Sequence, residues 1–193
     1  MDYDAMTALV VVDVQNDFAD PGGSLAVRGG VTVVRRVNEQ VRLAVSGGAF
    51  VVYTQDWHPA RTPHFAKDGG IWPVHCVADT WGAALHPALV VRGPVVRKGV
   101  GGEDGYSGFT VRDPASGAAT ATDLAALLRA AGVARVIVAG LATDYCVRDT
   151  VLDALRLGFE VTVVRDAIRA VNLTKGDGDR ALEAMRSAGA TVE

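Results

Sequence analysis

RVIVAGLATDYCVRDTVLDALRLGFEVTVV, residues 135–164, is the stretch whose reading decides the fold. It opens with Arg135-Val136-Ile137-Val138-Ala139, an apolar run without alternation, as a strand buried on both faces requires. A helical pattern runs from about Tyr145 to Leu157 and stops at Gly158, a residue that readily takes the left-handed conformation that ends helices. A second apolar run, Glu160-Val161-Thr162-Val163-Val164, follows at once. Strand, helix and strand in so short a span make a βαβ unit, with parallel strands and the helix crossing one face.

The same alternation extends in both directions. Ala8-Leu9-Val10-Val11-Val12 and Phe50-Val51-Val52-Tyr53-Thr54 read as strands, separated by an amphipathic helix over residues 31–45 that Gly47-Gly48 closes. Pro94-Val95-Val96-Arg97 reads as a third strand, and a helix capped by Thr122 runs to Ala131 before Gly132. A last helix over residues 177–188 and a short strand, Ala190-Thr191-Val192, complete the pattern. Right-handed crossovers on a sheet covered on both faces give an α/β fold, a three-layer α/β/α sandwich around a mainly parallel sheet of about six strands. Residues 55–94, rich in Pro, His, Trp and Gly, and the Gly-rich residues 99–117 carry no regular pattern. Long irregular segments of this kind carry function in a compact domain.

Whole-chain properties narrow the possibilities. With 193 residues, 49% of them hydrophobic and 21% charged, the chain has the material for one core, and residues 1–193 are read as a single domain. A net charge of -3 with scattered Lys and Arg lacks the basic patch of a nucleic-acid binder. No apolar run approaches the roughly 20 residues that span a bilayer. The first residues lack the features of a secretory signal, so no membrane partner and a cytoplasmic location are expected. Two cysteines, Cys76 and Cys146, are too few for a disulfide framework, so each is core filler, ligand or nucleophile.

In parallel α/β sheets the ligand site lies off the carboxyl ends of the strands. The polar or reactive residues there are Asp13 after the first strand, Asp56 and His58 after the second, Lys98 after the third, and Cys146 past the fourth. Cys146 stands where a strand turns into a helix; the helix dipole is expected to favour its thiolate, and the Ala142 and Cys146 N–H groups to hold an oxyanion. With Asp13 as proton acceptor and Lys98 as neighbouring cation, Cys146 completes a nucleophile triad. The plainer alternatives are a buried filler cysteine and a structural Asp–Lys pair. Asp56 and His58, two residues apart in an extended segment, point to one side and share a candidate metal, with His64 and His75 following in the same loop. Such a set suits one divalent ion: zinc, iron(II) or manganese. His86 is read as a surface histidine and Cys76 as a structural one.

These residues lie within Asp13-Val14-Gln15-Asn16-Asp17-Phe18, Gly22-Gly23-Ser24-Leu25, Asp56-Trp57-His58, Trp72-Pro73-Val74-His75-Cys76-Val77, Lys98-Gly99, Tyr106-Ser107-Gly108-Phe109 and Gly140-Leu141-Ala142-Thr143-Asp144-Tyr145-Cys146-Val147. The sequence resembles the nicotinamidase/pyrazinamidase family of isochorismatase-like cysteine hydrolases over nearly its whole length. The resemblance implies a catalytic triad of Asp13, Lys98 and Cys146, a metal held by Asp56, His58 and His75 with His64 as a further ligand in some members, and a cis peptide at Leu141-Ala142. It further implies a substrate pocket formed by Phe18, Trp72, Tyr106 and Leu141. The implied reaction is hydrolysis of nicotinamide, and of pyrazinamide, to the acid and ammonia, by a monomer or a homo-oligomer. A metal-independent N-carbamoyl amidohydrolase is the alternative activity within the same fold. Tyr145 departs from the family, where histidine is common before the nucleophile.

Overall fold

The computed structural model describes residues 2–193. In chain order the elements are β1 (Thr7–Val12), α1 (Asn16–Ala19), α2 (Gly30–Ser46), β2 (Phe50–Asp56), β3 (Val95–Lys98), β4 (Thr110–Arg112), β5 (Ala119–Ala121), α3 (Leu124–Ala130), β6 (Arg135–Leu141), α4 (Arg148–Arg156), β7 (Glu160–Arg169), α5 (Asp177–Ser187) and β8 (Thr191–Val192). Six strands form one sheet in the order β3-β2-β1-β6-β7-β8, and every neighbouring pair in it is parallel.

The layers follow from the alternation of side chains along each strand. Ala8, Val10 and Val12 of β1, with Val136 and Val138 of β6, pack against Leu124 and Leu128 of α3, Val151 of α4 and Met185 of α5. Leu9, Val11, Ile137 and Ala139 point the other way, onto Val33, Val37 and Val41 of α2. The central strands therefore have no polar face, which explains their unbroken apolar sequence.

Three details depart from the sequence expectation. An antiparallel hairpin, β4–β5, begins within the Gly-rich segment and lies outside the main sheet. Strand β7 continues to Arg169, beyond a register shift opposite Val138 and Gly140. Gly140 is required there: at φ +125°, a Cβ on it would stand 2.0 Å from the Val12 carbonyl oxygen. Finally, β6 passes into α4 through one π-helical turn, Thr143–Val147, marked by the Val147 N–H donating to the Ala142 carbonyl at 3.0 Å. The cap position of α3 falls on Asp123 rather than Thr122, whose Oγ1 accepts from the Leu124 N–H at 3.2 Å and donates to the Gly108 carbonyl at 2.6 Å.

Candidate active site

Strand β1 lies between β2 and β6, so the chain leaves it on both sides and opens a crevice at its carboxyl end. Asp13 directly follows β1, Asp56 ends β2, Lys98 ends β3, and Cys146 lies in the π-turn after β6. Asp13 adopts φ +47°, a left-handed conformation costly for a residue with a side chain. Thr54 holds it in place, accepting from the Asp13 N–H at 3.3 Å and donating its hydroxyl to Oδ1 at 2.6 Å.

Lys98 is the hub of this crevice. Its buried ammonium lies 2.8 Å from Asp13 Oδ2 and 3.7 Å from Cys146 Sγ, and it donates to Asp56 Oδ1 and the Gly105 carbonyl. Asp13 Oδ2 faces the ammonium as a close, fully buried ion pair. Ligand atoms of Asp13, Asp56 and Cys146 lie within 4.8 Å of one another. The ammonium already occupies the space a cation would need there. Burial alone would neutralise Lys98, but the Asp13 and Asp56 carboxylates more than offset it and push its pKa well up. Burial likewise raises Asp56, yet Lys98, followed by His58 and His75, outweighs it and holds that carboxyl far below the ordinary range.

Burial pushes the Cys146 thiol well up; Lys98 pulls the other way, and Asp13 and Asp56 add to the rise. With Cys146 only 7% exposed and two carboxylates nearby, desolvation works against the helix dipole that the sequence led us to expect in favour of the thiolate. Asp13, whose own pKa burial raises, is the adjacent group able to accept its proton.

Beside the hub, ligand nitrogens of His58, His64 and His75 lie within 4.8 Å of one another, all buried. His75 Nδ1 is 2.7 Å from the Pro73 carbonyl and His64 Nδ1 is 2.6 Å from Asp104 Oδ1, which leaves each Nε2 free. His58 is fully buried, and neither ring nitrogen has a hydrogen-bond partner among the described residues. An orphaned buried polar atom costs about 1–3 kcal/mol, so an imidazole with two of them fits a metal ligand better than a structural residue. Asp56 Oδ2, 3.8 Å from His58 Nε2, adds a carboxylate to the same side. The donor set therefore fits a divalent cation. Gly99 makes room for the His58 ring, which a Cβ there would meet at 2.6 Å.

The cavity over Cys146 is lined by Phe18, Trp72, Tyr106, Tyr145, Val171 and Ala142, with Asp56, His64 and His75 also at its wall. Trp72 donates its indole N–H to the Tyr106 hydroxyl at 2.7 Å, and Tyr145 meets Trp72 edge-on at 4.8 Å. The Leu141-Ala142 peptide is cis. Leu141 itself does not line the cavity: its side chain is fully buried in the α2-side core, because the strand's alternation turns it away. His86 is also corrected, being 9% exposed with its Nδ1 accepting from the Ala88 N–H at 3.2 Å. Cys76 is buried, its N–H donating to Asp17 Oδ2 at 2.7 Å. Sequence reasoning did not mark Thr54, Val171, Asp104 or Gln15 as site residues, and it noted Tyr145 only as a departure from the family. Gln15 Oε1 accepts from the Asp56 N–H at 2.8 Å and its Nε2 donates to the Asp56 carbonyl at 2.7 Å, fixing the end of β2. Tyr145, next to the nucleophile candidate, carried the clearest signal among these.

Comparison with known proteins agrees with this geometry. The isochorismatase domain matches residues 7–193. The nicotinamidase of Escherichia coli K12 is 40% identical, over 96% of this chain and 93% of its own. The crystal structure of the pyrazinamidase of Pyrococcus horikoshii in complex with zinc superposes with a TM-score of 0.86 at 43% identity, covering 97% of this chain and 98% of that one. PnC1 from L. infantum, in complex with nicotinate, gives a TM-score of 0.88 at 36% identity, covering 100% and 95%. The chain belongs to the isochorismatase family, among its nicotinamidase/pyrazinamidase members.

Proposed function

We propose that this protein hydrolyses nicotinamide to nicotinate and ammonia through a thioester on Cys146, and accepts pyrazinamide by the same route. The observation that carries the reading is Lys98 Nζ, 2.8 Å from Asp13 and 3.7 Å from Cys146, beside an aromatic cavity whose wall includes His64 and His75 of the histidine cluster. Relatives over nearly the full length bear the nicotinamidase name.

The resting thiol gives its proton to Asp13 as sulfur attacks the carboxamide carbon. Lys98 faces the developing thiolate and keeps Asp13 ionised until that moment. The carbonyl oxygen gains the negative charge, and the N–H groups of Ala142 and Cys146 receive it. Asp13 then returns the proton to the departing nitrogen, the C–N bond breaks, and ammonia leaves behind a thioester. Water, deprotonated by Asp13, cleaves the thioester and restores the thiol. Phe18, Trp72 and Tyr106 hold the ring. Asp56, His58, His64 and His75 would hold one divalent ion, zinc by the nature of the donors and the likeness to a zinc-containing relative. When bound, such an ion supplies a Lewis acid for the ring nitrogen or for a coordinated water.

We further read residues 1–193 as one domain acting in the cytoplasm on a small molecule, without nucleic-acid or membrane partners, as a monomer or homo-oligomer. In support, the family match spans residues 7–193, and no helix among the described residues is long and apolar enough to cross a membrane. The direct test is ammonia release from nicotinamide by purified protein, before and after chelation. Activity lost on chelation and restored by zinc is expected; full activity after complete metal removal would favour the metal-independent carbamoyl-amidase chemistry.

A further inference from the structure

His64 is held from a direction that the strand-end pattern does not reveal. Asp104 Oδ1 lies 2.6 Å from its Nδ1, whereas His75 Nδ1 meets only a backbone carbonyl and His58 approaches Asp56 at 3.8 Å. A carboxylate at that distance is a charge-assisted acceptor, which places the proton on Nδ1 and leaves the lone pair on Nε2.

Asp104 is itself fixed. Its N–H donates to the Arg112 carbonyl at 2.8 Å and its carbonyl accepts from the Arg112 N–H at 2.9 Å, so the β4–β5 hairpin sets its height. Two residues earlier, the Gly102 carbonyl accepts from Thr62 Oγ1 at 2.6 Å, and the same hydroxyl oxygen accepts from the His64 N–H at 3.1 Å. The 102–104 segment thus grips His64 through both its backbone and its ring. The hairpin, peripheral to the main sheet, acquires a purpose in this arrangement.

We propose that Asp104 is a positioning residue that locks His64 as its Nδ1–H tautomer, with Nε2 presented to a divalent cation beside His58 and His75. This rests on the metal reading of the histidine cluster given above. An ionised partner also draws the Nδ1 proton toward itself and makes Nε2 a better donor to the metal, and loss of such partners typically weakens binding roughly 10- to 100-fold.

The test is zinc affinity of metal-stripped protein, measured by competition with a chromophoric chelator, with the visible spectrum of the cobalt(II) form as a second readout. Asp104→Ala should weaken zinc binding by roughly 10- to 100-fold, and Asp104→Asn, which keeps an acceptor oxygen without its charge, by less. Both should alter the cobalt spectrum while Asp104→Asn keeps the wild-type unfolding midpoint. In a His64→Ala background, Asp104→Ala should have no further effect. Wild-type zinc affinity in both Asp104 variants, with affinity lost in His58→Ala, would overturn the role of Asp104 and spare the metal site. An equal loss with or without His64 would reduce Asp104 to a general structural residue and overturn the proposal. Undiminished zinc binding by His58→Ala would remove the metal reading itself.

Discussion

Lys98 sets the terms for every residue around it. It is 1% exposed and stands between two buried carboxylates, Asp13 and Asp56, so neither acid would tolerate its removal. Lys98→Met leaves those charges facing each other without a cation. The expected cost is about 3–5 kcal/mol, the usual penalty for breaking a buried ion pair from one side, read from denaturant unfolding, together with loss of ammonia release. A loss below about 1 kcal/mol would mean that the carboxylates are less buried or less charged than described. Residue types at strand ends were legible in the sequence because the parallel sheet brings those ends together whatever the loops do. Asp104 and Val171 were not legible: each reaches the site through a loop or extended strand whose path depends on contacts far along the chain. At Cys146 the helix dipole was legible because it is a local feature, whereas the desolvation that opposes it is set by the entire surrounding shell.

Among the elements, β6 and its exit carry the most information. The run Val136–Ala139 identified a buried strand, but not the π-turn that follows it or the bulge that lets β7 continue to Arg169. Both are responses to neighbouring strands rather than to local propensity. The β4–β5 hairpin escaped notice because its strands are three residues each, mostly exposed, and lack an apolar face. Gly140 is where this geometry is most exposed to test. Gly140→Ala should destabilise the protein by about 3 kcal/mol or more, since both the positive φ and the 2.0 Å approach to the Val12 carbonyl oppose a side chain. Thermal unfolding measures this; a midpoint like that of the parent would show that β1 and β6 do not approach so closely.

For the whole molecule, the parallel sheet with its switch point at β1 explains why one edge collects all the chemistry; the three-layer parallel architecture was readable from the periodicity, whereas the strand order that sets the switch point was not. The balance of ionisation also acts globally. Burial pushes the Tyr106 phenol up to about 12 and the Tyr3 phenol up as well, while their unfolded values lie near the ordinary value of about 10. The folded state therefore holds these protons more tightly than the unfolded chain. Their contribution to stability is complete below about pH 10 and is lost as the pH rises from there through 12. Phenolate absorbance of the native protein should show these two groups silent at pH values where exposed phenols ionise, and ionising only with further alkalinity or unfolding; early titration of both would contradict their burial.

The central claim is that one sulfur atom carries out the amide cleavage. Cys146→Ala removes that atom and leaves the cavity, the Asp13–Lys98 pair and the histidine cluster in place. Ammonia release from nicotinamide by this variant should fall to the level of a protein-free control, with its unfolding midpoint and its affinity for added zinc unchanged. Activity within about tenfold of the parent would contradict the account, because the attacking atom would then have to be a group other than the Cys146 sulfur.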